Sequence, residues 1–246
     1  MAVSTSSYFV FLVGIFLLYW PVARLRAAAL GVLLFANYFF YAKASLGYLI
    51  LLPVAGAVDY CIARALGATE TAGARRALVG ASVVMNAGVL VSFKYMPWLL
   101  ANWAQATGAA EAPAWRWVLP IGLSFYCFQA LGYVIDVYRK DTKPVRSLLT
   151  YLTSVSFFPT TLAGPITPVR TLAPQMERVK ELGDIEAGQG LYRIALGLAK
   201  KLLIADYLAE NLVNRVFDFP NLYSGMEVLV AVYAYALQLY FDFSGY

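Results

Sequence analysis

Three carboxylates stand inside otherwise apolar stretches of the 246-residue sequence: Asp59, Asp136 and Asp242. An ionisable group at membrane depth is costly, so such positions are the first candidates for proton relay or substrate contact. Asp59 shares its stretch with Tyr60 and Arg64, and pairing with a nearby arginine is the plain structural reading, because a buried carboxylate needs a partner. Gln129, Tyr133 and Asp136 are spaced by four and three, which places them on one face of one helix. That polar face could line a substrate channel. It could equally hydrogen-bond to a neighbouring helix, the commoner role and the one the pattern slightly favours. Lys200 and Lys201 precede Asp206; at a cytoplasmic interface the pair attracts anionic headgroups or, less commonly, a phosphorylated ligand. Asp242 and Ser244 flank Phe243, and Gly245 permits a turn or a close helix approach.

Other chemistry is excluded by what is missing. The sequence contains no histidine, which removes histidine metal ligation and Ser-His-Asp triads. There is no phosphate-binding GxxxxGK[ST] loop, dinucleotide GxGxxG, CxxC pair or GxSxG elbow. Cys61 and Cys127 both lie in apolar stretches, where a thiol behaves as a small hydrophobe, so no disulfide framework or metal site is expected.

The elements that position these residues follow from composition. Apolar residues make up 61% of the chain and charged ones 13%, against roughly a quarter charged in soluble domains. Lipid is the solvent that fits, and a helix needs about 20 mostly apolar residues to cross it. Apolar runs without strand alternation give five candidate spans, near 7–23, 27–42, 46–63, 77–93 and 117–137. The run from Tyr8 to Trp20 lacks the cationic flank of a signal peptide and reads as a retained first span. The expected class is an all-α polytopic membrane protein, a single membrane-embedded domain over 1–246.

Charge sets the orientation. Arg24, Arg26, Arg64, Arg75, Arg76, Arg139, Lys140, Lys143 and Arg146 fall on one side, nine cations against Lys43, Lys94 and Arg116 on the other. The positive-inside rule makes the nine cytoplasmic and puts the N-terminus outside. Trp98, Trp103, Trp115 and Trp117 flank a short opposite-side loop at Ala104 to Ala114, as interfacial indoles do. The net charge of +5 is spread beside spans, which points to membrane orientation rather than to nucleic acid.

Beyond Arg146 the pattern changes. Residues 147–168 are apolar but end in Phe157-Phe158-Pro159 and Ala163-Gly164-Pro165-Ile166-Thr167-Pro168, and prolines disfavour a continuous helix. Broken backbone at membrane depth must be enclosed by protein or line a cavity. A re-entrant half-helix and an ordinary span with a proline-rich exit fit equally well. Glu177 to Glu186 reads as a solvated connection. Gly190 to Val216 is helical but too charged to face lipid, and within 190–246 an interfacial helix is expected to lead to a terminal span from Val228 to Tyr240.

Four blocks carry a family resemblance. They are Leu119-Pro120-Ile121-Gly122 with Ser124-Phe125, Phe128-Gln129 and Tyr133-Val134-Ile135-Asp136-Val137-Tyr138-Arg139; Phe157-Phe158-Pro159 with Ala163-Gly164-Pro165-Ile166; Lys200-Lys201 with Ile204-Ala205-Asp206; and Phe241-Asp242-Phe243-Ser244-Gly245-Tyr246. In this order they resemble the membrane-bound O-acyltransferase superfamily, in its bacterial branch containing the alginate O-acetyltransferase membrane subunit. The resemblance marks Gln129, Tyr133, Asp136, Arg139, Pro165, Lys200, Lys201, Asp206, Asp242 and Ser244 as tunnel or motif candidates. It implies transfer of an acetyl or other acyl group from a donor such as acetyl-CoA to a hydroxyl of an exopolysaccharide or other envelope acceptor. It also implies a bacterial inner membrane and a periplasmic acceptor protein or polysaccharide, with no bound cofactor. The family's catalytic histidine follows the FDFSGY block, so the chain resembles the N-terminal half and is expected to be inactive alone. A transporter or channel-like protein and a catalytically inactive scaffold are the alternatives.

Overall fold

The computed structural model describes residues 6–42, 48–109, 113–115, 117, 119, 122–161, 166–178 and 183–245. Among them there are helices and no strand. The chain is an all-α membrane protein. It divides into two compact units, one holding the helices up to Glu177 and the other those from Asp184 onward.

The first unit starts with two apolar helices, α1 (Ser6–Val22) and α2 (Arg26–Ala42), close to the expected runs. Next comes α3 (Tyr48–Ala68). The fourth run is much longer than expected: α4 (Ala72–Leu90) passes through a π-helical turn at Val91–Tyr95 into α5 (Met96–Thr107), giving 36 continuous helical residues. Trp98 and Trp103 therefore project from a helix, and the connection begins only at Gly108, whose φ of 69° ends the helix. The fifth run is shorter than expected. Gly122 adopts φ 77°, which a side chain disfavours, and α6 (Leu123–Tyr138) starts there.

Among the described residues three helical stretches are long and apolar enough to cross a membrane: Leu49–Ala68, Ala72–Thr107 and Gly225–Gly245; Ser7–Val22 and Arg26–Ala42 are apolar but shorter. The α6 helix is instead the centre of the first unit. Leu123, Tyr126, Cys127, Ala130, Tyr133 and Val134 are buried against α3 and α4 and against the segment that follows α6. Val10, Leu17, Phe35, Ile50 and Val84 remain exposed on the outer helices, as side chains facing acyl chains should.

The proline-rich segment is interrupted. Helix α7 (Leu148–Val155) stops at Ser156, α8 (Phe158–Thr161) is a single turn, and α9 (Val169–Glu177) follows. Helix ends leave orphan backbone groups, and these must find partners where no water is at hand. Asn37 on α2 supplies them: its amide nitrogen donates to the Thr153 carbonyl and to Ser156 Oγ, each at 3.1 Å. Its amide oxygen accepts from the Phe158 N–H at 3.0 Å. One fully buried side chain thus stitches both sides of the break.

The second unit is a long charged helix packed on a terminal one. Helix α10 (Asp184–Leu198) continues through a π-helical stretch at Ala199–Ala205, the single turn α11 (Asp206–Leu208), a second π stretch at Ala209–Val213 and α12 (Asn214–Asp218). The expected solvated connection therefore ends earlier, since Asp184 and Glu186 form the first turn of α10, where carboxylates complement the helix dipole. Helix α13 (Gly225–Gly245) takes in the final block up to Gly245.

Replacing Asn37 by Ala should strand a carbonyl and an N–H inside the first unit. The expected cost is about 3 kcal/mol, from roughly 1–3 kcal/mol per buried group left unmet. Thermal unfolding of the purified protein in detergent measures it; a variant as stable as wild type would remove Asn37 from this role.

Candidate functional site

Two polar clusters hold most of the candidate residues, one in each unit. In the first, all three residues of the α6 polar face reach the interrupted segment. Gln129, 3% exposed, donates to the Ser154 carbonyl at 3.1 Å. The Tyr133 hydroxyl accepts from the Val145 N–H at 2.8 Å, with its ring 4.9 Å from that of Tyr151. Asp136 pairs with Arg170 of α9 at 3.6 Å. Spacing by four and three has aimed these side chains at backbone and at a cation on neighbouring elements, which is the hydrogen-bonding role. Tyr126 adds a tie the spacing did not reveal, donating to the Leu52 carbonyl at 2.6 Å. Pro165 lies outside the described residues.

Asp59 does not pair with an arginine. It is fully buried; Ser82 Oγ donates to one carboxylate oxygen at 2.5 Å and Asn86 Nδ2 to the other at 2.9 Å. Ser82 and Asn86 are four residues apart on α4 and so share a face. That spacing, in a run otherwise apolar, was the legible signal for them. The arginines are elsewhere. Arg64 is exposed, and Arg75 spends its guanidinium on the carbonyls of Leu66, Thr69 and Tyr138.

The second cluster joins two of the four blocks. Lys201 Nζ lies 2.9 Å from Asp206 and 2.7 Å from Asp242, so one ammonium bridges two carboxylates. The helix geometry explains how. Positions five apart diverge by about 140° on a helix of 3.6 residues per turn, too far for a short ion pair. The π turn widens the helix, and the Asp206 N–H bonds to the Lys201 carbonyl across that same five-residue step. Both side chains then share a face.

Asp242 arrives from α13 through a stripe of small and polar residues. Ala231, Ala234, Gln238, Asp242 and Gly245 recur at three- and four-residue spacing, and Ala231 and Ala234 are buried. A Cβ on Gly245 would lie 2.9 Å from the Gly197 carbonyl, and one on Gly197 would collide with the Gly245 carbonyl. Gly245 thus serves close helix approach within a continuing helix. Lys200 also borders this contact, its Cβ lying near the place where a Gly245 Cβ would stand. Gln238 Oε1 and Ser244 Oγ are buried without a hydrogen-bond partner among the described residues. Partial burial pulls the Lys201 ammonium down, but hydrogen bonds and Coulomb attraction from Asp242 and Asp206 outweigh it and hold it above the ordinary lysine range.

Arg139 is exposed and ends α6. Among the described residues no group of three His, Cys, Asp or Glu is arranged to hold a metal ion. Among the described residues these contacts position side chains and backbone against one another.

Known proteins carry the same sequence pattern. The chain is 36% identical over 219 residues to the probable alginate O-acetylase AlgI of Pseudomonas aeruginosa, taking in 87% of this chain and 41% of that protein. AlgI of Pseudomonas syringae pv. tomato is 37% identical over 219 residues, 87% of this chain and 42% of the other. The chain is a homologue of the AlgI-type O-acetylases. A more distant relative, the peptidoglycan O-acetyltransferase of Helicobacter pylori, is 28% identical over 240 residues, 87% of this chain and 45% of that protein. The chain spans less than half the length of the curated relatives it matches. No family model matches it.

Lys201→Met leaves Asp206 and Asp242 facing each other without a cation, and should lower the melting temperature. Adding Asp242→Asn should recover part of the loss, because the repulsion then disappears; a strictly additive double variant would deny the coupling. The sign with pH follows from the raised ammonium value. The Lys201 contribution is complete below the unfolded value of about 10.4 and fades as pH rises through the folded one. That portion of the alkaline stability loss should be absent from Lys201→Met.

Proposed function

We propose that these 246 residues form part of a membrane-bound O-acyltransferase that passes an acetyl or similar acyl group to a hydroxyl of a cell-envelope polysaccharide. The observation carrying this reading is the 36% identity to an alginate O-acetylase over 87% of the chain. The peptidoglycan O-acetyltransferase similarity supports the broader acceptor class, a hydroxyl-rich envelope polymer. The donor in this reading is a soluble acyl carrier such as acetyl-CoA on the cytoplasmic side. The acceptor, or an acceptor-loading protein, works on the opposite face. The membrane is the bacterial inner membrane, with the N-terminus outside, as the nine-to-three distribution of cations favours.

Hydroxyl acylation needs a base to take the proton as the acyl carbon is attacked. In the family that this chain resembles the base is a histidine, and none occurs in this sequence. In this reading the residues described here position rather than react. The Lys201–Asp206–Asp242 bridge fixes the end of α13, and the α6 polar face fixes the interrupted segment.

Two measurements test the reading. Purified 246-residue protein incubated with acetyl-CoA and polysaccharide should form no ester-linked acetate on the polymer above background, and robust turnover would contradict a histidine-dependent mechanism. A chimera in which this chain replaces the matching segment of the P. aeruginosa relative should restore polymer acetylation in a strain lacking that relative. A chimera that inserts and folds yet supports no acylation would count against the assignment.

A further inference from the structure

A cleft of about 400 Å³ opens where the ends of α3, α4 and α6 meet, lined by Glu70, Ala72, Arg75, Arg76, Arg139 and Lys140, with Tyr138 as its aromatic wall. Its place in the fold fixes its depth in the membrane. Leu49–Ala68 and Ala72–Thr107 are both span-length apolar helices, so the turn between Ala68 and Ala72 must sit at a bilayer face. The cations beside that turn, Arg64 on α3 and Arg75 and Arg76 on α4, belong to the side that carries the excess of Lys and Arg.

The charges in the cleft are unevenly committed. The carbonyls ending α3 and α6 would present partial negative charge there, but Arg75 covers them. It donates to Leu66 at 2.6 Å, to Thr69 at 3.0 Å and to Tyr138 at 2.6 Å, with its guanidinium 5.4 Å from the Tyr138 ring centre. Arg75 is buried and fixed by those bonds. The first turn of α4 adds no acidic side chain. Among the described residues Glu70 is the one carboxylate lining the cleft, and it meets Lys140 at 3.4 Å with both side chains mostly exposed, a pairing worth little in water. Arg76 and Arg139 are exposed and, among the described residues, paired with no acid.

The backbone points the same way. Lys140 sits at φ 66°, a left-handed conformation that costs a residue with a Cβ about 1–2 kcal/mol and that glycine adopts freely. The helix cap itself is complete: Lys140 N–H bonds to the Val137 carbonyl at 3.1 Å and Asp141 N–H to the Asp136 carbonyl at 2.9 Å. Glycine would close that cap equally well. What lysine adds there is an ammonium on the rim of the cleft.

We propose that this cleft is a phosphate-binding site at headgroup depth, taking the phosphate of an anionic phospholipid or of a soluble phosphorylated ligand. Arg76 and Arg139 supply forked N–H donors suited to phosphate oxygens, Lys140 adds a mobile ammonium, and Arg75 holds the floor neutral. The lipid source is independent of the acyltransfer reading; the soluble source, probed with the nucleotide part of coenzyme A, rests on it.

The test uses the full 246-residue protein in a neutral detergent. Phosphatidylglycerol, phosphatidylcholine and adenosine 3′,5′-bisphosphate are titrated separately, with binding read by native mass spectrometry and by thermal shift. Saturable binding of phosphatidylglycerol, but not phosphatidylcholine, marks the lipid source. Saturable binding of the bisphosphate marks the soluble source. In either case the Arg76→Gln/Arg139→Gln variant should bind about tenfold more weakly, on the scale of one or two charge-assisted hydrogen bonds. Lys143→Gln/Arg146→Gln, on the adjacent cleft, should bind as wild type does. Arg76→Gln alone serves if the double variant does not fold. No saturable binding of either probe, or equal losses in the two charge variants, would overturn the site.

Discussion

The first unit depends on a supply of hydrogen-bond partners to a chain that stops being helical between Val155 and Phe158. Two amide side chains meet that need. Asn37 takes the Thr153 carbonyl and the Phe158 N–H, and Gln129 takes the Ser154 carbonyl. Because α2 and α6 each reach the same break, their positions are tied to it. The tyrosines around it follow, with Tyr133 holding the Val145 N–H and Tyr126 the Leu52 carbonyl. In hydrocarbon an unmet backbone group costs several kcal/mol. Small shifts of these helices are therefore penalised far more steeply than apolar packing alone would penalise them.

Much of this architecture was readable in advance, and for definite reasons. Helices α1 and α2 appear within a residue or two of the apolar runs because hydropathy alone sets their extent. Gln129, Tyr133 and Asp136 fell on one face because helical spacing is fixed. The reach of α4 into α5 was not readable, since Lys94 and Pro97 resemble a boundary and the π turn that carries the helix past them has no spacing signature. The partner of Asp59 was not readable for a related reason. Arginine is the expected counter-ion by charge, but Arg75 was claimed by the carbonyl ends of α3 and α6, and the neutral pair Ser82 and Asn86 lay one turn apart on the facing helix. Asn37, a lone amide in an aromatic-rich run, gave a signal that only the position of the break could interpret.

The second unit handles charge differently. Its long helix carries acids and bases that lipid would reject, yet the Lys201 ammonium is divided between two carboxylates. Sharing matters because each ion is roughly a quarter to a third exposed, neither wet enough to stand alone nor dry enough for one pair to suffice. The π stretches make it possible by giving up regular i→i+4 bonding in exchange for a different set of neighbours. Local helix irregularity here is the means by which two distant parts of the sequence find each other.

The meeting of Gly197 with Gly245 also bears on the forces available. Two helices in contact inside a bilayer gain nothing from expelling water, because acyl chains are as apolar as the side chains they would replace. Beyond the Lys201–Asp242 ion pair, attraction then falls to dispersion and weak Cα–H···O contacts, which act only at the shortest range. Where two backbones touch with no side chain between them, that range is reached. The cohesion of this helix pair is therefore a property of fit rather than of hydrophobicity.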